Sequence, residues 1–158
     1  MRHRALQHAN CSIARTVSIL GERWTLVILR QAFLGARRFE DYQRGLGIAR
    51  NMLADRLRTL VDEGILERRP YSEHPPRHEY RLTAKGRDLY PILVTLMQWG
   101  DRYGGHEEGA PMVLVHEPCG HEAAPVLTCS ACGEALDPRD VRPEPGPGAH
   151  PPTPAASI

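Results

Sequence analysis

The sequence predicts a mainly α-helical domain with one small β-hairpin, followed by a short cysteine-rich segment. Three observations support this: apolar residues recur at helical spacing in four successive segments, two strand-like stretches follow around a Pro-rich loop, and glycine closes most of the helical segments. The chain has 158 residues, of which 41% are hydrophobic. It is therefore long enough for one core-forming domain and an appendage.

The first two predicted helices span residues 12–20 and 23–34, and Gly21 and Gly35 end them. In each helix the apolar positions fall on one face, and Trp24 belongs to the buried stripe of the second. We expect both helices to pack into a shared core, since helices this short are not stable alone.

A third helix is predicted at 39–46 and a fourth at 50–63, which Gly64 closes. The fourth helix has one clear apolar face, formed by Leu53, Leu57, Leu60 and Val61. This face belongs in the core whatever the opposite face does.

The pattern then changes from helix to strand. Residues 65–69 and 78–82 predict two strands joined by a Pro-rich loop at 72–77. A long helical segment follows at 84–103, and Pro91 should bend or divide it. No internal repeat is evident in the sequence.

Three short helices, a fourth helix, a hairpin and a last helix give the element order of a winged helix-turn-helix. In that fold the fourth helix presents its N-terminal half outward, where a helix can enter the major groove of DNA. Arginine can bind guanine or phosphate, and asparagine can pair with adenine. The residues that we predict to contact DNA are Arg37, Arg38, Arg50, Asn51, Met52, Asp55, Arg56, Arg58 and Arg77.

The charge distribution supports a polyanionic partner for the body of the chain. Residues 1–105 hold 18 Lys and Arg against 11 Asp and Glu, a net charge of +7, whereas residues 106–158 hold 2 against 8, a net charge of −6. The overall charge of +1 hides this asymmetry.

Four stretches of the sequence resemble the HxlR-type family of bacterial winged helix-turn-helix, MarR-like transcriptional regulators. They are CSIARTVSILGERWTLVILR at 11–30, GARRFED at 35–41, LADRLRTLVDEGILERRPY at 53–71 and PPRHEYRLTAKG at 75–86. The resemblance covers about 11–103. It implies a homodimeric regulator, by default a repressor, that binds a short two-fold-symmetric operator on double-stranded DNA.

The same resemblance implies that the first and last helices of the body form the dimer interface. Some members of the family sense electrophiles or oxidants through a cysteine just before the first helix, and Cys11 occupies that place. Ser12 stands where proline is common, so the local backbone can differ. A helix N-terminus and nearby Arg15 would favour the thiolate of Cys11. The alternative is an inert cysteine at the interface.

The cysteine-rich segment, roughly 112–140, contains the pattern C-x-H-x7-C-x2-C, which predicts a structural Zn²⁺ site in a zinc-ribbon-like module. Three thiolates and one imidazole suit tetrahedral zinc and leave no open position. The predicted ligands are Cys119, His121, Cys129 and Cys132. His116 is the alternative nitrogen ligand, and a free or redox-active cysteine pair is the alternative to a metal site.

We therefore divide the chain into a flexible arm at 1–10, a DNA-binding and dimerisation domain at 11–105, the module at 112–140 and a Pro-rich disordered tail at 141–158. Nothing resembles a signal peptide or a membrane span, which favours a cytoplasmic protein.

The sequence contains no G-x-S-x-G motif of hydrolases, no phosphate-binding glycine loop and no H-E-x-x-H motif of metalloproteases. We therefore do not expect an enzyme. The competing class is a winged-helix module that binds another protein, which a weak dependence on salt would indicate. A small apolar inducer could bind a cleft lined by Trp24, Leu93, Met97 and Trp99, although these side chains can equally be packed core.

Overall fold

The first four predicted helices are present in the computed structural model, which describes residues 6, 9–105 and 107–149. They are α1 (Ser12–Leu20), α2 (Thr25–Phe33), α3 (Phe39–Leu46) and α4 (Arg50–Asp62). Most of the predicted arm at 1–10 and the last nine residues of the predicted disordered tail lie outside the described residues.

The predicted hairpin forms, and its strands are longer than the sequence pattern indicated. Strand β1 (Leu66–Ser72) pairs antiparallel with β2 (Arg77–Leu82). The pairing register shifts between Pro70 and Ser72, so Tyr71 has no partner opposite it. Ile65 was predicted to begin the first strand, but it is buried just before the strand.

The last helical segment is divided into α5 (Ala84–Arg87) and α6 (Tyr90–Tyr103), as Pro91 suggested. The division lies just before the proline, which occupies the first turn of α6. Proline has no N–H to donate to the carbonyl of Arg87 four residues earlier, and its ring would clash there, so one continuous helix is excluded. In the first turn of a new helix that missing N–H costs nothing.

Helices α2, α3 and α4 and the start of β1 share one core. The Tyr42 ring is fully buried in it and meets the Tyr80 ring edge-on, with the ring centroids 6.4 Å apart. Burial raises the pKa of Tyr42 well above its ordinary value, so this residue stays neutral. The largest fully buried side chains are Tyr42, Ile28, Leu29, Leu53, Leu57, Leu60 and Leu66.

The described residues form two compact units, one within 19–125 and the other from the described residues before 19 and after 125. The first unit ends with a small antiparallel hairpin whose strands have two residues each, β3 (Val115–His116) and β4 (His121–Glu122). The second contains an isolated bridge between Thr128 and Ala135. Among the described residues, no helix combines the length and apolar character needed to cross a membrane.

Candidate nucleic-acid interface

The N-terminus of α4 is free to receive an anion. Gly47 has a φ of +61°, which turns the chain sharply between α3 and α4. Ala49 precedes α4 in an extended conformation and cannot cap the helix with its side chain, and the first turn carries no acidic residue. In the first turn the N–H of Met52 donates to Oδ1 of Asn51 at 2.9 Å. The helix dipole at this end favours phosphate.

Arg50 is held in position at this helix end. Its guanidinium lies over the Phe39 ring, 4.9 Å from the ring centroid, and its Nη1 donates to Oε1 of Gln43 at 3.0 Å. Both partners belong to α3, so one helix orients the arginine that the next helix carries. An oriented guanidinium loses less side-chain entropy when it binds DNA.

A basic groove lies between α3, the start of α4 and the hairpin. The groove is lined by five arginines, Arg38, Arg44, Arg50, Arg68 and Arg77, and by two acidic residues, Glu40 and Asp41. We call this set the basic groove.

Asp41 has a structural task within the groove. Its Oδ2 accepts hydrogen bonds from the backbone N–H of Arg38 at 3.0 Å and from that of Arg37 at 3.4 Å. These bonds, the one from Arg38 first, and the charges of Arg44 and Arg38 lower the pKa of Asp41 despite an opposing effect of burial. The carboxylate thus caps the N-terminus of α3. The net charge of the residues that line the basic groove remains positive.

The hairpin contributes the other wall of the basic groove. The Arg38 guanidinium lies 4.6 Å from the centroid of the Tyr71 ring, and Nη2 of Arg68 is 3.0 Å from Nδ1 of His78. Arg77 begins β2 and is exposed, and its side chain makes no hydrogen bond or ion pair with any residue that the structure describes. It is the arginine of the hairpin that is most available to an external anion.

The outward face of α4 carries the remaining predicted contacts, and they are not equivalent. Asn51 and Met52 are exposed in the first turn. The carboxylate of Asp55 forms ion pairs with two arginines of the same helix. It contacts the guanidinium of Arg56, and its Oδ1 lies 3.8 Å from Nη1 of Arg58. Arg56 also reaches Glu22 at 3.8 Å, and its side chain is 22% exposed against 69% for Arg58. Arg56 therefore ties α4 to the segment before α2, whereas Arg58 is open to solvent.

Arg37 does not line the basic groove. Its Nη1 donates to the carbonyls of Ala32 at 3.1 Å and Ala36 at 3.3 Å. It lines a second groove on the opposite side of the hairpin, together with Arg69 and Arg81. Its geometry supports the end of α2 rather than the basic groove.

Sequence reasoning missed Arg44, Arg68 and Tyr71. Arg68 could have been found, because successive side chains of a strand point to opposite faces of the sheet. Arg68 faces the basic groove, while Arg69 faces the opposite side and pairs with Glu67 at 2.7 Å. Arg44 gave no comparable signal, since it lies in the last turn of α3, and only the packing of α3 brings it to the groove.

An apolar cleft is present, and two of the four residues predicted to line it do so. Leu93 and Met97 line an apolar cavity between α2 and α6, of about 470 Å³, with Phe33 and Leu26 on the other side. Trp24 packs against the core instead, and Trp99 is 65% exposed. These two tryptophans are therefore not part of the lining.

The cysteines are all free thiols. Cys11 is exposed at the start of α1, and nearby Arg15 donates from Nε to the carbonyl of Ala9 at 2.9 Å. In the described parts of the chain, no group of three or more His, Cys, Asp or Glu side chains is arranged to hold a metal ion. Nδ1 of His116 lies 3.3 Å from Sγ of Cys119.

A three-helix core, an uncapped helix that presents arginine, and a two-stranded hairpin beside it define a winged helix-turn-helix DNA-binding protein. The chain belongs to the HxlR-like helix-turn-helix family, whose model matches residues 19–108. It is a DNA-binding transcriptional regulator, as the sequence predicted.

Similar proteins include an HTH-type transcriptional regulator of Mycobacterium tuberculosis, Rv3095, which is 55% identical over 137 residues, 87% of each chain. The crystal structure of PA1607, a candidate transcription factor, matches with a TM-score of 0.80 and 36% identity over 89% of this chain and 98% of that one. The redox regulator HypR in its reduced form matches with a TM-score of 0.57 and 31% identity over 62% of this chain and 98% of that one. The first two likenesses extend well beyond residue 108 and so include part of the cysteine-rich segment.

Proposed function

We propose that the chain represses transcription as a homodimer that binds a short two-fold-symmetric operator. The observation that carries the proposal is the basic groove between the uncapped start of α4 and the hairpin. In each protomer α4 would enter the major groove, with Arg50 and Asn51 at base edges, while Arg77 would grip the backbone or the adjacent minor groove.

The exposed face of α6 supports the dimer. Ile92, Leu96, Trp99 and Tyr103 follow one another at spacings of four, three and four residues, so they share one helical face. All four are at least 40% exposed, and such an apolar stripe is typical of a surface that another protein covers. The resemblance to the family implies that this helix takes part in a dimer interface, which agrees with the proposal.

Binding to DNA fragments selected from genomic DNA tests this function. The selected fragment should lose affinity by about 10³-fold between 50 and 200 mM salt if six phosphates are contacted in the complex. Asn51→Ala should lower discrimination against random DNA by about 1–3 kcal/mol if its amide reads a base. A protein that binds no fragment at low salt, or whose affinity barely changes with salt, would instead be a module that binds other proteins.

Sedimentation measures the dimer separately. We expect a dimer for the native chain and a monomer for Leu96→Asp, because the new carboxylate would be buried at the interface. Glu107→Gln, outside the helix, provides a control that should leave the dimer intact. A native chain that stays monomeric at micromolar concentration would refute the dimer.

Cys11 is our proposed sensor of oxidants or electrophiles. Its thiol is exposed before the first helix, and the similar protein HypR is a redox regulator. A thiol-specific oxidant should change the affinity of the native protein for its selected fragment. The response should disappear in Cys11→Ser and persist in Cys132→Ser. An unchanged response in Cys11→Ser would assign sensing elsewhere.

A further inference from the structure

The second groove, on the side of the hairpin away from the basic groove, gathers four arginines around one concave surface. Its volume is about 410 Å³, which lies in the usual range of small-molecule sites. Phe33 and Leu82 give it an apolar part, and Glu67 is the only acidic side chain among the described residues that line it. The four arginines are Arg37, Arg69, Arg81 and Arg87, none of which lines the basic groove.

Separate elements of the winged helix bring these arginines together. Arg37 lies in the segment between α2 and α3, and Arg87 ends α5. The first of these positions is tied to the hairpin, because the N–H of Tyr80 donates to the carbonyl of Arg37 at 2.7 Å. Arg81 and Arg69 both come from the hairpin, on β2 and β1. The groove is thus a product of the tertiary fold.

Two of the arginines are oriented by backbone carbonyls. Nη1 of Arg37 donates to two carbonyls at and just after the end of α2, and Nη1 of Arg87 donates to the carbonyl of Leu82 at 2.9 Å. In each case these bonds use a single nitrogen of the guanidinium. Most N–H donors of both groups therefore remain without a partner among the described residues.

The other two arginines are held by exposed ion pairs. Nη2 of Arg69 lies 2.7 Å from Oε1 of Glu67, and Nε of Arg81 lies 2.7 Å from Oε1 of Glu79. The two arginine side chains are still 56% and 50% exposed. Exposed pairs of this kind contribute little to stability, so another anion can compete for these guanidiniums at a small cost.

We propose that the second groove binds a small oxyanion with at least two negative charges, either a phosphate ester or a polycarboxylate. The planar fork of a guanidinium pairs with both kinds of group through two hydrogen bonds. Several arginines around one concave surface attract an anion more strongly than each would alone. The apolar part at Phe33 and Leu82 leaves room for the organic portion of such a ligand.

Titration calorimetry of the purified full-length protein with pyrophosphate, at constant ionic strength, tests the site. Two double variants remove the same charge from the two grooves. Arg69→Gln with Arg87→Gln should weaken binding by about tenfold or more, because one charge-assisted hydrogen bond is worth on the order of tenfold. Arg50→Gln with Arg77→Gln, in the basic groove, should change the affinity by less than about threefold, because salt screens distant charges.

A variant that gains affinity keeps the test independent of folding. Glu67→Gln removes the acidic side chain from the second groove and releases Arg69 from its ion pair. It should strengthen pyrophosphate binding by about threefold, the order of magnitude expected for one exposed charge pair. Glu40→Gln removes an acidic side chain from the basic groove and should leave the affinity unchanged.

Three results of the titration would overturn the proposal. Native protein that binds no pyrophosphate at millimolar concentration would exclude the site. Equal losses in the two double variants would indicate general attraction to positive charge, and a larger loss in the basic-groove variant would place the anion there. The titration contains no DNA, so it can fail while the proposed function holds, and the reverse is also true.

A separate measurement distinguishes a free oxyanion from the phosphate backbone of DNA. Arg87→Gln should leave the dependence of DNA binding on salt unchanged, because the second groove faces away from the basic groove. A slope of log affinity against log salt that falls by about 1 in this variant would place a DNA phosphate in the second groove and overturn the proposal.

Discussion

Arg50 and Phe39 are in contact across the turn between α3 and α4, with the guanidinium 4.9 Å from the ring centroid. This contact fixes the direction of an arginine at the start of α4, where the preceding residue Ala49 provides no side-chain cap. The side chain of Arg50 is thus oriented by the preceding helix, as the proposed contact with DNA requires.

Arg50→Ala should weaken binding to the selected fragment by about 1–3 kcal/mol if the guanidinium meets a base edge. Arg50→Lys keeps the charge but has neither the planar group nor the bidentate geometry. It should therefore preserve the dependence on salt and lose most of the discrimination between fragments. Fluorescence anisotropy at several salt concentrations separates the two effects, and full specificity in Arg50→Lys would show that only the charge matters.

Arg77→Ala should reduce the affinity for all DNA sequences by a similar factor and lower the slope of log affinity against log salt by about 1, if Arg77 contacts one phosphate. Arg69→Ala is the matched control: it removes an arginine from the same hairpin, but from the opposite face, where Glu67 pairs with it. Equal losses in the two variants would mean that the basic groove is not the contact surface.

Gly86→Ala should destabilise the protein by about 1–3 kcal/mol, because an added Cβ would lie 2.2 Å from the carbonyl oxygen of Ile65. That oxygen also accepts hydrogen bonds from Thr83, so a shift would disturb the start of α5. Gly100→Ala, where the Cβ meets nothing within 4 Å, should instead stabilise α6 by up to about 1 kcal/mol. Urea unfolding measures both, and equal stability of the two variants would contradict this packing.

Asp41→Asn should lower the free energy of unfolding by about 1 kcal/mol at pH 7, since the amide replaces a charged acceptor at the start of α3. The pKa of Asp41 is lowered in the folded state, so its stabilising contribution is present above the unfolded pKa of about 3.9 and is lost as pH falls through the folded pKa. The difference between native and variant should therefore shrink below about pH 4.

Glu40→Gln serves as the control for that measurement. Glu40 lies in the same helical turn, and its side chain makes no hydrogen bond or ion pair with the residues that the structure describes. Its replacement should change stability less than Asp41→Asn at pH 7. A difference for Asp41→Asn that is constant between pH 3 and pH 7 would contradict the role assigned to its carboxylate.

The first four helices, the hairpin and the class of fold were predictable from the sequence, which also favours α4 as the helix that would face DNA. Periodicity is a local property: the spacing of Leu53, Leu57 and Leu60 fixes the buried face of α4, and hence the outward face of Arg50 and Arg58, before any tertiary contact is known. The division of the last helix was likewise predictable, because proline acts through its own backbone.

Tertiary structure alone decided which charged side chains share a surface. Arg37 and Arg38 are neighbours in sequence, yet one supports the end of α2 and the other lies over Tyr71 in the basic groove. Packing of α3 against the hairpin separates them, and the same packing adds Arg44 to the groove. The direction of a long side chain depends on the hydrogen bonds and rings around it, and neighbours distant in sequence supply those.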